Sequence, residues 1–429
     1  MSARAFPLRV LPVLVCQKER MSAEEFKKRV EQLRAKLTAE VQFLDLIIIN
    51  VENEITILEK YVNETDVILI YKASLGLGNC VIKITEYGLP TIFFNEEGKT
   101  AWPLDAIEYI YPRKNVWLAI DHRDINSQLE LLCVKNKIQN TKILVLNSDY
   151  PHWQKFLCRV YGGIESIKSI LGIKPEYVES KEVINRWKGI KESSAKALAE
   201  KWSKEANKIV EPDQKDILAV AKLYLVMKAL LKERDAQAIT MAYGDDILPV
   251  PCFAYTNLRD EGIPAACEAD IISLLSMIIL HWLESKPCFM GNTFVDIRNE
   301  ALVLSHCVCP RNMNGYGTQP SPYVLRSYHN EEFTGSLTAF VQMLANQKVT
   351  ICRLDGNLQN MIVTKGSIIN CEDRTYVKNY CRITVSIKID NLREFIHGTS
   401  GNHHVLAYGD CVARLKKLNE LFNISTIEF

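Results

Sequence analysis

Val10-Leu11-Pro12-Val13-Leu14-Val15, the first apolar run of the chain, decides how the rest is read. It imitates the hydrophobic stretch of a secretion signal ending on a lipidated cysteine, since Cys16 follows directly. Arg9 breaks the stretch, Pro7 and Pro12 punctuate it, and Val15 is bulky where signal cleavage needs a small residue. A short Val- and Leu-rich run of this kind reads instead as a buried first β-strand.

Outward from that strand, charged helical and short β-rich segments alternate. Ala23 to Leu37 is helical, and Leu44 to Val51, Val67 to Ile70 and Pro90 to Phe94 are strand-like, which is the pattern of an α/β layer. A second series opens at the strand Thr141 to Leu146, passes through Glu176 to Val178 and a polar helical region around Lys181 to Ile209, and continues to Gly244. Within it, Pro212-Asp213 precedes Ile217, Leu218, Ala221, Leu225 and Leu231. This spacing buries one helix face, with Lys228 as its polar interruption. The apolar strand Ala238 to Met241 follows. After Asn312 the texture changes to a loop with Gly315, Gly317, Pro320 and Pro322, then to short strands at Val349 to Leu354, Met361 to Thr364, Ser367 to Asn370 and Cys381 to Ile389. The closing segment, Asp410 to Leu421, is helical. Two α/β domains, residues 1–138 and 139–285, and a β-rich domain, residues 286–429, are expected.

A chain of 429 residues exceeds the usual size of one hydrophobic core. Its 52 basic and 51 acidic residues leave a formal charge of +1, which provides no field to attract nucleic acid or an acidic membrane surface. The expected partner is a small molecule. The 13 cysteines are odd in number and scattered, and Cys252, Cys267 and Cys288 sit in apolar runs. They read as reduced thiols of a cytoplasmic protein. The longest apolar candidate for a membrane span, Ile271 to Leu283, falls short of the roughly 20 residues a bilayer requires and contains His281.

Three segments carry polar residues in apolar surroundings. In Gly262-Ile-Pro-Ala-Ala-Cys-Glu268-Ala-Asp270 two carboxylates stand between an apolar strand and an apolar helix. One could cap the helix N-terminus, but a single cap does not need both. In Gly291-Asn-Thr-Phe-Val-Asp296-Ile-Arg298-Asn-Glu300-Ala-Leu-Val-Leu-Ser-His306-Cys two strands flank a polar turn. A hairpin could bring Asp296 to His306, whereas Arg298 and Glu300 could equally be a surface pair; His306 alone could be a core histidine. In Gly401-Asn402-His403-His404-Val-Leu-Ala-Tyr408-Gly409-Asp410 adjacent histidines enter a strand, so only one of the two should reach a given site. Glu268, Asp296, His306 and one of His403 or His404 form a carboxylate and imidazole set, which suits Mn²⁺ or a related divalent ion better than zinc. Cys307 and Cys309, a lone C-x-C, are read as packing residues.

At these segments, roughly Pro251 to Asp410, the chain resembles the L-fucose and L-arabinose isomerase families. In that comparison Glu268 falls on the first metal-binding carboxylate, Asp296 in Phe294-Val295-Asp296 on the second, His306 on the arabinose-type histidine, and His403-His404 on the late one. The resemblance implies two consecutive Rossmann-like α/β domains followed by a small β-barrel-like domain carrying part of a metal site. It also implies a homo-oligomer and an aldose–ketose isomerase acting on a monosaccharide. Glu268 and Asp296 would be ligands and the acid/base pair, with Arg298, Asn402 and Tyr408 as candidates for binding sugar hydroxyls. Asp296 follows the fucose type and His306 the arabinose type.

Two rival readings stand beside this one. Ser74-Leu-Gly76-Leu-Gly78-Asn79-Cys80 could cradle a phosphate, but the full dinucleotide fingerprint needs a glycine at position 81, which is Val. A non-catalytic sugar-binding or regulatory protein on the same scaffold would have no reason to keep the polar set.

Overall fold

The computed structural model describes residues 7–17, 21–73, 77–95, 113, 115–149, 160–242, 247–327, 337–373 and 381–429. Ser74 to Gly76 of the glycine turn and Gly244 lie outside them. The chain divides into two units, one of residues Ser2–Lys137 and one of Ile138–Phe429.

The first unit is built on a parallel sheet. Its strands are β1 (Leu8–Val15), β2 (Val41–Phe43), β3 (Ile47–Ile49), β4 (Val67–Lys72), β5 (Thr91–Asn95) and β6 (Val116–Ala119). They run in the order β2-β1-β4-β5-β6, with β3 continuing the edge beside β1. The opening apolar run is thus an interior strand: Val10 lies opposite Val67 and Val13 opposite Ile70. Leu11, Val13 and Val15 pack in one core with Ile55, Leu58, Val81 and Ile84. Interior parallel strands are covered on both faces, which is why this one is apolar without alternation.

The second unit holds β7 (Lys142–Leu146), β8 (Lys174–Val178), β9 (Lys208–Ile209), β10 (Ala238–Met241) and β11 (Ala265–Ala266). Four of these form a parallel sheet in the order β11-β10-β7-β8. The helix Gln214–Glu233 between β9 and β10 begins at Asp213, whose side chain and that of Asp216 make a reciprocal capping box. Its polar interruption, Lys228, pairs with Glu261.

The remaining strands are β12 (Phe289–Asp296), β13 (Ala301–His306), β14 (Tyr323–Arg326), β15 (Thr338–Val341), β16 (Lys348–Leu354), β17 (Asn360–Asp373), β18 (Ile383–Ile389), β19 (His403–Tyr408) and β20 (Ser425–Glu428). The order β16-β19-β12-β13-β18-β17 closes on itself because β17 also pairs with β16, giving a six-stranded antiparallel barrel without open edges. The two short strands expected at 361–364 and 367–370 are one long strand with an irregularity between Ile368 and Asn370. At its centre a Cβ on Gly366 would stand 2.3 Å from the Lys388 carbonyl oxygen, so only glycine allows this approach.

Between the parallel sheet and the barrel in sequence runs the helix Ile271–Glu284, buried along nearly its whole length. Its fourteen residues are too few to cross a bilayer, and no described helix is long and apolar enough to do so.

Candidate active site

Strand β11 ends at Ala266, and the chain must then reverse into the helix Ile271–Glu284. It does so through two consecutive non-glycine residues in the left-handed region, Glu268 at φ 57° and Ala269 at φ 52°. Each costs about 1–2 kcal/mol, and such strain persists only where the surroundings impose it. In an extended chain neighbouring side chains point to opposite sides. Here Cys267 and Glu268 instead share a side, and their ligand atoms lie within 4.8 Å of each other and of a His306 ring nitrogen. The site thus forms where the C-terminal end of a parallel strand meets the barrel, a usual location for binding in open α/β sheets.

Asp270 takes the helix cap, accepting from the Ser273 amide at 3.0 Å. Its other oxygen accepts from the Ser273 hydroxyl at 3.0 Å and lies 2.8 Å from His403 Nδ1. Full burial opposes ionisation of Asp270, but the hydrogen bond from His403, the Arg353 guanidinium and the Ser273 amide outweigh it. The carboxyl is held well below its ordinary range. An ionised carboxylate only accepts, so Nδ1 of His403 carries the proton and Nε2 presents a lone pair. That Nε2 is buried without a hydrogen-bond partner and faces a Glu268 oxygen at 3.6 Å. Arg353 Nη1 donates to the His403 carbonyl oxygen, and Gly401 leaves room for this guanidinium, since a Cβ there would meet it at 2.4–2.5 Å.

His306, at the end of β13, faces the other Glu268 oxygen through Nε2 at 3.7 Å. The Cys307 amide donates to its Nδ1 at 3.0 Å, so the neutral ring carries its proton on Nε2. The two rings stand 5.4 Å apart between centroids. One carboxylate is therefore flanked by a donor imidazole and an acceptor imidazole, both nearly fully buried.

The donor set also fits a divalent cation. Cys267, Glu268 and His306 each bring a ligand atom within 4.8 Å of the others, close enough to converge on one ion, and His403 Nε2 stands 3.6 Å from the second Glu268 oxygen. Ligation by His306 would move its proton to Nδ1 and forfeit the Cys307 contact, a loss of about 1 kcal/mol. Structural zinc binding is worth about 10 kcal/mol or more, so that contact does not decide against a cation.

Of the residues singled out in the sequence, Glu268, His306 and His403 come together; the others stand elsewhere. Asp296 pairs with Ala301 across the hairpin, which leaves His306 five residues further along β13, roughly 16 Å away at 3.3 Å per residue. Its carboxylate accepts from the Arg298 and Asn299 amides at 3.0 and 3.1 Å and from the Asn299 side chain at 2.8 Å, which makes it the organiser of an exposed turn. Arg298 belongs to that turn. His404 is held between Thr293 Oγ1 at 2.7 Å and Thr399 Oγ1 at 2.8 Å. Both of its nitrogens are engaged on the opposite face from His403, and burial holds its pKa down to about 3. Tyr408 lies at the far end of β19, its hydroxyl accepting from the Leu344 amide at 3.1 Å. Asn402 sits beside His403 at the rim, bonded to Asn292 Oδ1 at 2.6 Å.

Cys267 and the orienting role of Asp270 escaped the sequence reading, which weighed Asp270 only as a cap. The signal available was the pair of carboxylates itself: with one used as the cap, the other needed a second purpose. The twelve cysteines among the described residues form no disulfide, and Cys307 and Cys309 are fully buried.

No protein-family model matches the chain. Among curated proteins it is similar to a sulfoquinovose isomerase of Alkalicoccus urumqiensis, with 23% identity over an alignment of 288 residues that covers 61% of this chain. The matched stretch spans 60% of that relative's length. Among solved structures, a two-component response regulator/GGDEF domain protein aligns with 64% of this chain and 98% of its own at 14% identity. Its TM-score of 0.22 is too low to bear on the fold.

Proposed function

We propose that this protein is a sugar isomerase that interconverts an aldose and a ketose by moving a proton between adjacent carbons through an enediol. The observation that carries the reading is Glu268, held in a left-handed turn between two buried imidazoles, one of them fixed by Asp270. Similarity to an isomerase of a sugar supports it.

In this reading the Glu268 carboxylate takes the proton from C2 of the aldose and returns it to C1, so that one group serves as base and then acid. Oxygen chemistry must accompany that transfer. Nε2 of His403, backed by Asp270, accepts the O2 hydroxyl proton and delivers it to O1, while the N–H of His306 hydrogen-bonds to O1 as negative charge develops there. Burial of both rings excludes water and strengthens these interactions. Were a divalent cation held there by Glu268, His306 and His403, both Nε2 atoms would be ligands instead of proton carriers, and its positive charge would serve the enediolate oxygens in their place. Mn²⁺ is the ion expected from oxygen and nitrogen donors alone. A monosaccharide substrate, a homo-oligomer and a cytoplasmic setting belong to the same proposal.

The test is exchange of the sugar C1 or C2 hydrogen with deuterated water. It is followed by NMR over pentoses, hexoses, their 6-deoxy forms and sulfoquinovose, with and without added divalent cation. Exchange into at least one sugar, accompanied by ketose formation, is expected. A protein that exchanges none of them under either condition is not an isomerase of these sugars.

A further inference from the structure

Cys267 is the one member of the close donor group that the isomerase reading leaves without a task. Its ligand atom lies within 4.8 Å of those of both Glu268 and His306, and the strained turn at Glu268 and Ala269 is what brings the two neighbouring side chains to one side. Capping of the helix does not explain that strain, because Asp270 alone provides the cap.

The surroundings of Cys267 point the same way. Arg259 is fully buried, its Nε donating to the Ala265 carbonyl oxygen at 2.7 Å and its Nη1 to that of Val308. Its Nη2 has no hydrogen-bond partner, and among the described residues no carboxylate pairs with it. Burial draws its pKa down to about 10, while negative charge on Cys267, Cys309, Cys288 and Tyr255 would oppose that shift. A buried cation without a counter-ion is costly, so the surroundings of Arg259 favour an anionic centre nearby. The Cys252 thiol is hydrogen-bonded to Cys267 and Cys307, an outer contact of the kind that supports a ligating sulfur.

We propose that Cys267 is a thiolate ligand of this centre, beside Glu268 and the flanking imidazoles, so that the resident cation is a thiophilic divalent ion of the zinc type rather than Mn²⁺. A sulfur, oxygen and nitrogen set selects borderline-soft ions, whereas Mn²⁺ favours oxygen. The inference deepens the proposed isomerase site and rests on that reading of the centre as a cation site, but not on turnover.

The experiment uses the full chain, freed of metal with a chelator and reloaded with Zn²⁺ or Co²⁺. X-ray absorption of the Zn²⁺ form is expected to show one sulfur neighbour at about 2.3 Å, and the Co²⁺ form a thiolate-to-cobalt charge-transfer band in the near ultraviolet. The Cys267→Ser protein should lose the sulfur neighbour and the band. Its preference for Zn²⁺ over Mn²⁺ should fall at least about tenfold, a comparison within one fold that removes the general affinity order of the metals. Cys307→Ser, as a control, should keep the band. A wild-type Zn²⁺ shell of nitrogen and oxygen alone overturns the proposal without reliance on any variant, as does a band that persists in Cys267→Ser. Sugar exchange measured on the same samples separates the two readings: turnover with a sulfur-free shell leaves the isomerase standing and removes the thiolate. A sulfur ligand without turnover on any sugar does the reverse.

Discussion

At one end of the β12–β13 hairpin, His306 is buried against a carboxylate held in a left-handed turn. At the other, Asp296 folds its carboxylate back onto the amides of its own turn, with Phe294 and Ile297 exposed beside it. Both ends look alike in sequence: a carboxylate or imidazole next to apolar residues. They differ in what the polar group costs. The Asp296 turn satisfies itself locally and could form in many folds. The Glu268, Asp270, His306 and His403 group draws on β11, the helix Ile271–Glu284, β13 and β19, and stores backbone strain that only tertiary structure can hold. Burial and strain, rather than polarity, separate the chemical end from the structural one.

Four substitutions or conditions would break or sharpen that contrast. The largest effect is expected from Asp270→Asn, which keeps an acceptor for the helix cap but removes the charge that fixes the His403 proton on Nδ1. Sugar hydrogen exchange should fall roughly 10–100-fold with the fold intact by circular dichroism. An unchanged rate would mean that His403 does not need its partner. Next comes Gly401→Ala, in which a Cβ at φ +77° would collide with the Arg353 guanidinium. A loss of about 1–3 kcal/mol in urea unfolding is expected, and full retention of stability would show that Arg353 is not confined.

The third concerns pH. His404 is depressed to about 3 by burial, so the folded state keeps it neutral while the unfolded chain binds a proton below its ordinary value of about 6.5. Its contribution is therefore complete above about pH 6.5 and declines by about 1.4 kcal/mol per unit as pH falls from there toward 3. Chemical denaturation across that range should show the slope, and His404→Asn should flatten it. The smallest effect is expected from Asp296→Ala, with about 1 kcal/mol lost from the turn, as for a capping residue, and no change in exchange.

Much of the fold is legible in the chain because buried strands must be apolar. The runs at Val10 to Val15, Thr141 to Leu146 and Ala238 to Met241 each form a strand. The site is legible only in part. Glu268 and the late histidine pair stand out as polar residues in apolar runs, but His403 meets Asp270 across 133 residues of chain, which no local pattern records. The choice between His403 and His404 was left open by strand alternation and is decided by which face meets Asp270 and which meets two threonines. The expected meeting of Asp296 and His306 fails for a simpler reason: a turn centred on residues 297–300 pairs 296 with 301, so a residue ten positions on must lie far down the partner strand. Left-handed φ at Glu268 and Ala269 has no sequence signature, since neither residue favours it.

The most direct test of which end of the hairpin carries the chemistry is the rate of sugar hydrogen exchange in Glu268→Gln and Asp296→Asn, measured side by side on the same sugar with the same cation present. Loss of about 10²-fold or more in Glu268→Gln, with Asp296→Asn exchanging at the wild-type rate, is the predicted result. Wild-type exchange in Glu268→Gln together with loss in Asp296→Asn would contradict it and move the chemistry to the exposed turn.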